Sequence, residues 1–225
     1  MRAPVSVVIP TLNASAGLPA CLAALMEGVD AGLIREVIIS DGGSTDATGA
    51  IAQAWGAEWV EGPASRGAQI GRGCVAAQGD WLLVLHADTV LGAGWSEAVA
   101  AHLGAPKAAW FRLRFDRGGV PARLVAGWAN LRSRLGLPYG DQGLLISAQM
   151  LDGLGGYPDL PLMEDVTLAR ALRGQMTALD AVAVTSAEKY RQQGWVGRSG
   201  RNLWLLTRYF IGASPDVLAR KYRKR

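Results

Sequence analysis

The sequence contains few cysteines, few histidines and few aromatic residues. Only two Cys and two His occur in 225 residues, and Phe, Trp and Tyr together make up 7%. Cys21, Cys74, His86 and His102 show none of the paired spacings that zinc sites use. Two distant cysteines, with no secretory leader before the first predicted strand, favour a reducing cytoplasmic environment. We therefore expect neither a zinc protein nor an exported disulfide-rich one.

Long apolar runs and nucleotide-binding loops of the P-loop kind are also missing. The run NLWLLTRYFIG, at 202–212, is about half of the roughly 20 residues that cross a bilayer, and Arg208 interrupts it. No G-x-x-x-x-G-K-[ST] segment occurs, which excludes a P-loop. The segment GRGCVA, at 71–76, fits G-x-G-x-x-A but does not follow a strand, as a dinucleotide-binding loop must.

Charge is distributed unevenly along the chain. The net charge is +4, yet residues 186–225 hold ten Lys and Arg against two acids. We predict a domain over 1–185 and a basic amphipathic helical extension over 186–225. Two locations for the extension stay open: packed on the domain, or on an anionic membrane surface, with peripheral contact at the inner membrane face. Clustered basic residues without a nucleic-acid-binding fold are weak evidence for nucleic acid, so we do not expect it as a partner.

The apolar periodicity predicts alternating strands and helices. Strands are predicted at 5–10, 35–40, 57–62, 81–87 and 110–115, and helices at 17–26, 47–55, 67–78 and 120–136. Such alternation is typical of parallel strands joined by right-handed crossovers. We therefore predict an α/β fold with a mostly parallel central sheet flanked by helices.

Polar clusters follow three of the predicted strands. They are Pro10 to Asn13, Asp41 to Asp46, and His86 to Asp88. Because ligands bind at the carboxyl ends of parallel strands, these clusters predict one binding site. Asp88 is suited to ligate Mg²⁺ or Mn²⁺ there, with a turn or helix cap as the alternative.

A later acidic pair, Glu164 and Asp165, stands at the start of a helical pattern. The helix dipole alone favours acids at that position. A catalytic role needs a partner site, which the predicted acidic edge of the sheet provides.

Four segments resemble the GT-A (Rossmann-like) glycosyltransferases of family 2. They are VVIPTLN, IISDGGSTDAT, GDWLLVLHADT and PLMEDVTLARAL, and the resemblance covers nearly the whole chain. The segments LHADT, YGDQG, PLMEDV and GASPDVLARKYR resemble more narrowly a bacterial subgroup (rSAM/selenodomain-associated) linked to arsenosugar biosynthesis gene clusters.

The resemblance implies an inverting transfer of a sugar from a nucleotide-diphosphate-sugar donor to an acceptor hydroxyl. By this resemblance, Asp41 contacts the base or ribose, Asp88 holds the divalent metal, and Asp165, beside Glu164, is the general base. The remaining donor contacts it implies are Pro10, Thr11, Asn13, Arg66 and Gln69, with Lys189 and Arg191 as further candidates. Three positions depart from the family pattern, namely Ala14, Gly71 and His86, and His86 replaces an acid.

Two other functions stay open at this level. The chain could bind a nucleotide sugar without transferring it, or could be a nucleotidyltransferase, which also uses a metal and a related sheet. The acceptor is a small molecule or a lipid-linked one, and the oligomeric state is not predicted.

Overall fold

One eight-stranded sheet organises residues 2–223, which are the residues that the computed structural model describes. In spatial order the strands are β3-β2-β1-β4-β7-β6-β8-β5. Their bounds are β1 Val5–Thr11, β2 Ile34–Asp41, β3 Glu58–Glu61, β4 Trp81–Val84, β5 Thr89–Leu91, β6 Ala108–Phe115, β7 Leu144–Ser147 and β8 Met176–Thr185.

Helices cover the sheet and continue beyond its last strand. Their bounds are α1 Leu18–Asp30, α2 Thr48–Ala54, α3 Arg66–Ala76, α4 Trp95–His102, α5 Gly119–Arg134, α6 Ala148–Gly153, α7 Glu164–Ala171, α8 Glu188–Gln193, α9 Trp195–Phe210 and α10 Pro215–Arg223. A 3-10 turn covers Gly140–Gln142. The α/β class and the flanking helices are confirmed.

The first half of the sheet is parallel and the second half is mixed. Strands β3, β2, β1 and β4 run in one direction, as predicted. Strand β7 is antiparallel to both β4 and β6, while β8 is parallel to β6 and antiparallel to β5. The sheet is therefore mixed overall. The antiparallel strands were not predicted, because apolar periodicity identifies a strand but carries no information on its direction.

The predicted fourth strand is shorter than expected. It ends at Val84, and the chain then turns through His86 to Asp88. The turn is closed by a hydrogen bond from the Thr89 amide to the His86 carbonyl oxygen at 3.0 Å. Asp88 consequently lies in a turn at the end of β4, directly before β5.

The main core lies between the sheet and α1 and α4. Trp95, the first residue of α4, is fully buried in it, and its indole Nε1 donates to the Ala24 carbonyl oxygen at 3.0 Å. The ring lies against Gly28 of α1, where an added Cβ would be 2.5 Å from Trp95 Cη2. A glycine at that position allows α1 to approach the indole closely.

The predicted basic extension corresponds to α8, α9 and α10. Leu205, Leu206 and Leu218 pack against the segment that leads into α7, around Leu162 and Val166. Lys224 and Arg225, which are part of the predicted extension, lie outside the described residues. No helix within 2–223 has the length and apolarity needed to cross a membrane.

Candidate functional site

The ends of β1 and β2 are joined through Asp41. Its carboxylate accepts hydrogen bonds from Thr11 Oγ1 (2.7 Å), from the Gly43 and Ser44 amides (2.7 and 2.6 Å) and from Ser44 Oγ (2.5 Å). Burial raises the pKa of Asp41, but the hydrogen bonds from Ser44, Thr11 and Gly43 outweigh it and leave the pKa below its usual value. Asp41 is thus a buried, ionised group that shapes the loop after β2.

The loops after β1 and β2 are also held to each other. The Asn13 amide donates to Ser44 Oγ at 2.8 Å, and the Thr45 amide donates back to Asn13 Oδ1 at 2.9 Å. Asp46 accepts from the Ser15 amide at 3.1 Å and from the Thr48 amide at 3.0 Å, which ties the loop after β1 to the first residue of α2. These two loops therefore act as one unit.

An open cleft of about 520 Å³ lies beside these loops, at the carboxyl end of β1 and β4. Six of the predicted donor and metal residues line it: Pro10, Thr11, Asn13, Arg66, Gln69 and Asp88. Gly17 and Ala87 both line the cleft. A Cβ added at Gly17 would lie 2.9 Å from the Ala87 carbonyl oxygen, so the turn after β4 lies against the start of α1. We call this space the outer cleft.

Gln69 anchors α3 beneath the outer cleft. Its amide Nε2 donates to the Thr11 carbonyl oxygen at 2.7 Å and to the Ser40 carbonyl oxygen at 3.2 Å. The side chain is 5% exposed and lies against Gly42. Gln69 therefore holds the floor of the cleft in place through the backbone of β1 and β2.

A second cavity of about 160 Å³, which we call the inner pocket, adjoins the outer cleft. Five residues line both spaces: Arg66, His86, Asp88, Leu162 and Lys189. Lys189 Nζ lies 3.8 Å from Asp88 Oδ2, with both side chains partly exposed. The two spaces are thus separated by one shared wall that carries both signs of charge.

Asp165 faces the inner pocket from the first turn of α7. Its Oδ2 accepts from the Gly140 amide at 2.9 Å and its Oδ1 accepts from the Val166 amide at 2.7 Å. An added Cβ at Gly140 would lie 2.6 Å from His86 Nε2 and 3.6 Å from Asp165 Oδ2. His86 and Asp165 are consequently neighbours on either side of Gly140, although 79 residues separate them in the sequence.

His86 occupies the shared wall as a neutral ring. Burial, and then the positive charge of Arg66, lower its pKa to about 4, against the opposing influence of Asp88 and Asp165. A neutral imidazole in this place adds no charge between the two carboxylates.

Glu164 is buried behind the pocket rather than lining it. Its side chain is 1% exposed, Oε1 lies 3.5 Å from Arg66 Nη1, and Oε2 is a buried oxygen without a hydrogen-bond partner. Burial and the repulsion of Asp165 raise the pKa of Glu164 to about 7, and Arg66 lowers it only in part. The protonated form is therefore favoured in the fold far more than in water.

This shift predicts a specific effect of pH on stability. Below about pH 4.5 the Glu164 carboxyl is protonated in both states, whereas between about pH 4.5 and 7 the folded state retains the proton longer. Stability is therefore lost as the pH rises through that interval. We expect the free energy of unfolding of Glu164→Gln, measured relative to that of wild type, to rise by about 1–3 kcal/mol as the pH is raised from 4.5 to 8.

Urea denaturation at several pH values measures that difference. Glu58→Gln, an exposed position on β3, is the matched control and should show no such trend. A difference between Glu164→Gln and wild type that does not change with pH would contradict the raised pKa.

Asp141 belongs to the inner pocket and was not among the predicted site residues. It lies in the 3-10 turn, and its Oδ1 is buried without a hydrogen-bond partner. Burial raises its pKa to about 6, opposed by Arg132 and reinforced by Asp165. Its place in the segment YGDQG, one of the segments that resemble the narrower subgroup, was the available signal.

The extension supplies further pocket residues that sequence reasoning missed. Tyr190 lies on α8, and Arg198, Asn202 and Leu205 lie on α9. The spacing i, i+4, i+7 of the last three indicates one helix face, which was a usable signal. Arg191, by contrast, pairs with Glu188 at 3.5 Å on the exposed side of α8.

A divalent cation would find few protein ligands here. No group of three or more His, Cys, Asp or Glu side chains within residues 2–223 is arranged to hold a metal ion. Asp88 offers one half-exposed carboxylate on the shared wall. Mg²⁺ is commonly held by one or two carboxylates together with substrate phosphates and water. The residues therefore fit a cation that arrives with a diphosphate rather than one bound by the protein alone.

Solved structures with the same fold include TarS and glucosyl-3-phosphoglycerate synthase. S. aureus TarS 1-349 in complex with UDP-GlcNAc is 15% identical over 81% of this chain, with a TM-score of 0.62, and the match covers 58% of that chain. Glucosyl-3-phosphoglycerate synthase from Mycobacterium tuberculosis, in complex with Mn²⁺ and UDP-glucose, is 24% identical over 81% of this chain, with a TM-score of 0.56 and 69% of that chain covered.

The same mycobacterial enzyme in complex with Mn²⁺, UDP and glucosyl-3-phosphoglycerate is 25% identical, with a TM-score of 0.53, over 81% of this chain and 70% of its own. The match to TarS 1-349, by comparison, spans less than two thirds of the length of that chain. These likenesses show the GT-A fold. A search of curated proteins found no significant match.

The sequence itself identifies the family. Residues 6–146, more than half of the chain, match the model of glycosyl transferase family 2. The match includes both loops after β1 and β2, the turn at Asp88 and the 3-10 turn at Asp141. The chain therefore belongs to glycosyl transferase family 2.

Proposed function

We propose that this chain transfers a sugar from a nucleotide-diphosphate-sugar donor to an acceptor hydroxyl, with inversion at the anomeric carbon. The donor occupies the outer cleft, and the acceptor enters the inner pocket. Two fold neighbours bound to UDP-sugars, TarS and the mycobacterial synthase, support the choice of donor class.

One observation carries this proposal, namely that the two spaces adjoin across a shared wall while Asp165 lines only the inner one. An inverting transfer needs the leaving group and the general base on opposite sides of the anomeric carbon. A diphosphate at Asp88 and Lys189, with Asp165 beyond the wall, meets that requirement. The same arrangement has no evident use for a protein that only binds a nucleotide sugar.

The reaction forms a bond between the acceptor oxygen and the anomeric carbon as the bond from that carbon to the diphosphate oxygen breaks. Asp165 accepts the proton of the acceptor hydroxyl, which makes the oxygen a better nucleophile. The Gly140 amide fixes the carboxylate for this role at 2.9 Å. Arg66 and Lys189 are placed to compensate the negative charge that the departing nucleoside diphosphate acquires.

Asp88 would hold Mg²⁺ or Mn²⁺ jointly with the donor diphosphate, and the cation would supply additional neutralisation of the leaving group. Thr11, Asn13 and the loop that Asp41 shapes would receive the nucleoside. In this proposal Asp41 acts by ordering the loop around Gly43 and Ser44, and Gln69 by ordering the backbone beneath it. Glu164 sets the position of Arg66 from behind.

The lining of the inner pocket bears on the class of acceptor. Apolar side chains, including Phe115, Tyr139 and Leu205, share the lining with Arg198 and Asn202. Such a lining suits an acceptor with an apolar part and a polar or anionic group. A small molecule and a lipid-linked acceptor both meet this description, and the link to arsenosugar biosynthesis stays a hypothesis.

Thermal unfolding with a panel of nucleotide sugars tests the donor site. We expect one or more of them to raise the Tm of the wild type, and Mn²⁺ to increase that shift. Asp88→Asn should abolish the increase due to Mn²⁺, because it removes the single carboxylate that the shared wall offers to a cation. Asp80→Asn, which lies before β4 at the opposite end of the strand, is the matched control and should respond as wild type.

Product analysis then separates the three functions. Release of a nucleoside diphosphate supports transfer of the sugar. Release of pyrophosphate from a nucleoside triphosphate and a sugar phosphate would instead identify a nucleotidyltransferase. A Tm shift without any turnover on small or lipid-linked acceptors would identify a binding protein.

A further inference from the structure

Helix α5 turns its large apolar side chains away from the protein. Val120, Leu124, Trp128, Leu131 and the C-cap residue Leu135 are 49–72% exposed. At about 100° per residue these positions span roughly 80° of the helix circumference, so they form one continuous stripe. We call it the α5 stripe.

The opposite face of α5 is the one that packs. It consists of small residues, Ala122, Ala126, Ala129 and Ser133, and it contacts Leu113, Phe115 and Trp195. An amphipathic helix on a globular protein normally directs its largest apolar side chains inward. Here the order is reversed, and about half or more of each large side chain is left exposed by residues 2–223.

Positive charge flanks the α5 stripe without any acid. Helix α5 contains Arg123, Arg132 and Arg134, and no Asp or Glu. Arg123 and Arg134 are exposed on one side of the stripe, while Arg132 is held by the Leu137 carbonyl oxygen and lies over the Tyr139 ring. An apolar stripe bordered by Arg is the pattern of a helix that lies in the interface of an anionic membrane.

The neighbouring helix α9 repeats this arrangement. Its exposed apolar side chains, Val196, Leu203, Trp204 and Phe210, fall on one face. Trp195 at its start packs on the Phe115 ring within the same cluster as the alanines of α5, so the two helices are neighbours. An open groove between α9 and α10 is lined by Arg201, Trp204 and Lys221, and the Arg and Lys side chains are suited to lipid phosphates.

From these observations we propose that α5 and α9 together form a surface that binds an anionic lipid bilayer. The apolar stripes enter the interface and the flanking Arg and Lys side chains meet the phosphates. A second copy of the chain is the less suitable occupant, because a two-fold contact through the α5 stripe would bring the arginines of both protomers to one interface, and α5 contains no acid to pair with them. This proposal goes beyond the proposed sugar transfer and does not depend on it.

Vesicle co-sedimentation of the full chain tests the proposal. We expect binding to phosphatidylcholine vesicles that contain phosphatidylglycerol, weaker binding at high salt, and little binding to phosphatidylcholine alone. Trp128→Gln combined with Leu131→Gln should weaken binding by about tenfold, because both changes remove apolar area from the interface. Arg123→Gln combined with Arg134→Gln should weaken binding only to the anionic vesicles.

The matched control is Trp55→Gln combined with Val75→Gln, an exposed Trp and an exposed aliphatic residue on α2 and α3. It should bind as wild type. Three results would overturn the proposal: no binding of the wild type to anionic vesicles, equal binding of the Trp128 and Leu131 variant, or a wild-type dimer in light scattering that this variant converts to a monomer. The last result would assign the surface to a second copy.

Discussion

Replacing Asp165 by Asn is expected to slow sugar transfer by about 10²–10⁴-fold, which is the usual contribution of a general base. The amide keeps the shape of the side chain, and its oxygen can still accept from the Gly140 amide, which lies 2.9 Å from Asp165 Oδ2. It cannot take the proton of the acceptor hydroxyl. Donor binding in the outer cleft should change little, because Asp165 does not line that cleft.

Two measurements on the same variant distinguish this role from a structural one. Nucleoside diphosphate release gives the rate, and calorimetry with the donor and Mn²⁺ gives the dissociation constant. Asp159→Asn, an exposed acid in the segment before α7, is the control and should keep both values. Equal losses of rate and donor affinity in Asp165→Asn would refute its assignment as the general base.

Replacing Trp95 by Ala is expected to lower the free energy of unfolding by about 3–5 kcal/mol. The indole is fully buried between α1 and the sheet, and the substitution also removes its Nε1 hydrogen bond to the Ala24 carbonyl oxygen of α1. The backbone on either side is fixed by α1 and by β8, so the cavity would not close. Urea denaturation of the variant and the wild type measures the loss.

The control for Trp95 is another tryptophan. Trp55, the C-cap residue of α2, is 42% exposed, so Trp55→Ala should cost about 1 kcal/mol or less. Similar losses at the two positions would show that burial around Trp95 is not what stabilises the fold.

The sequence predicts the first half of the fold well, because its strands are buried apolar runs. Strands β1, β2 and β4 of the structure overlap the predicted runs, and α3 at Arg66–Ala76 overlaps the helix predicted at 67–78. The ten-residue strand β8, MTALDAVAVT, was not predicted. Two of its four buried residues are Ala181 and Ala183, and Ala has little preference for strands, so the period of two was hard to detect.

The candidate site was also predicted only in part. Asp88 and Asp165 were predicted from their places at a strand end and a helix start, and the structure brings both to the inner pocket. Asp41 looked equally accessible in the sequence, but four hydrogen bonds within its own loops turn it inward. Periodicity cannot reveal that orientation, since it depends on which donors the folded loop presents.

The tail residues of the pocket were the hardest to anticipate. Tyr190, Arg198 and Asn202 come from helices that the sequence marked only as basic and amphipathic. Their contribution depends on how α9 packs against Leu162 and Val166, a contact between segments about 40 residues apart. No local pattern specifies such a pairing.

The walls of the two spaces come from different stretches of the chain. The outer cleft is built mainly from residues before 90 and takes only Lys189 from the part that follows β8, whereas the inner pocket also takes Tyr190, Arg198, Asn202 and Leu205 from there. If the acceptor enters the inner pocket, as proposed above, changes within residues 186–225, less than a fifth of the sequence, would alter the acceptor while leaving most of the outer cleft unchanged. Chimeras joined at the end of β8 would be a practical route to new acceptor preferences in this family.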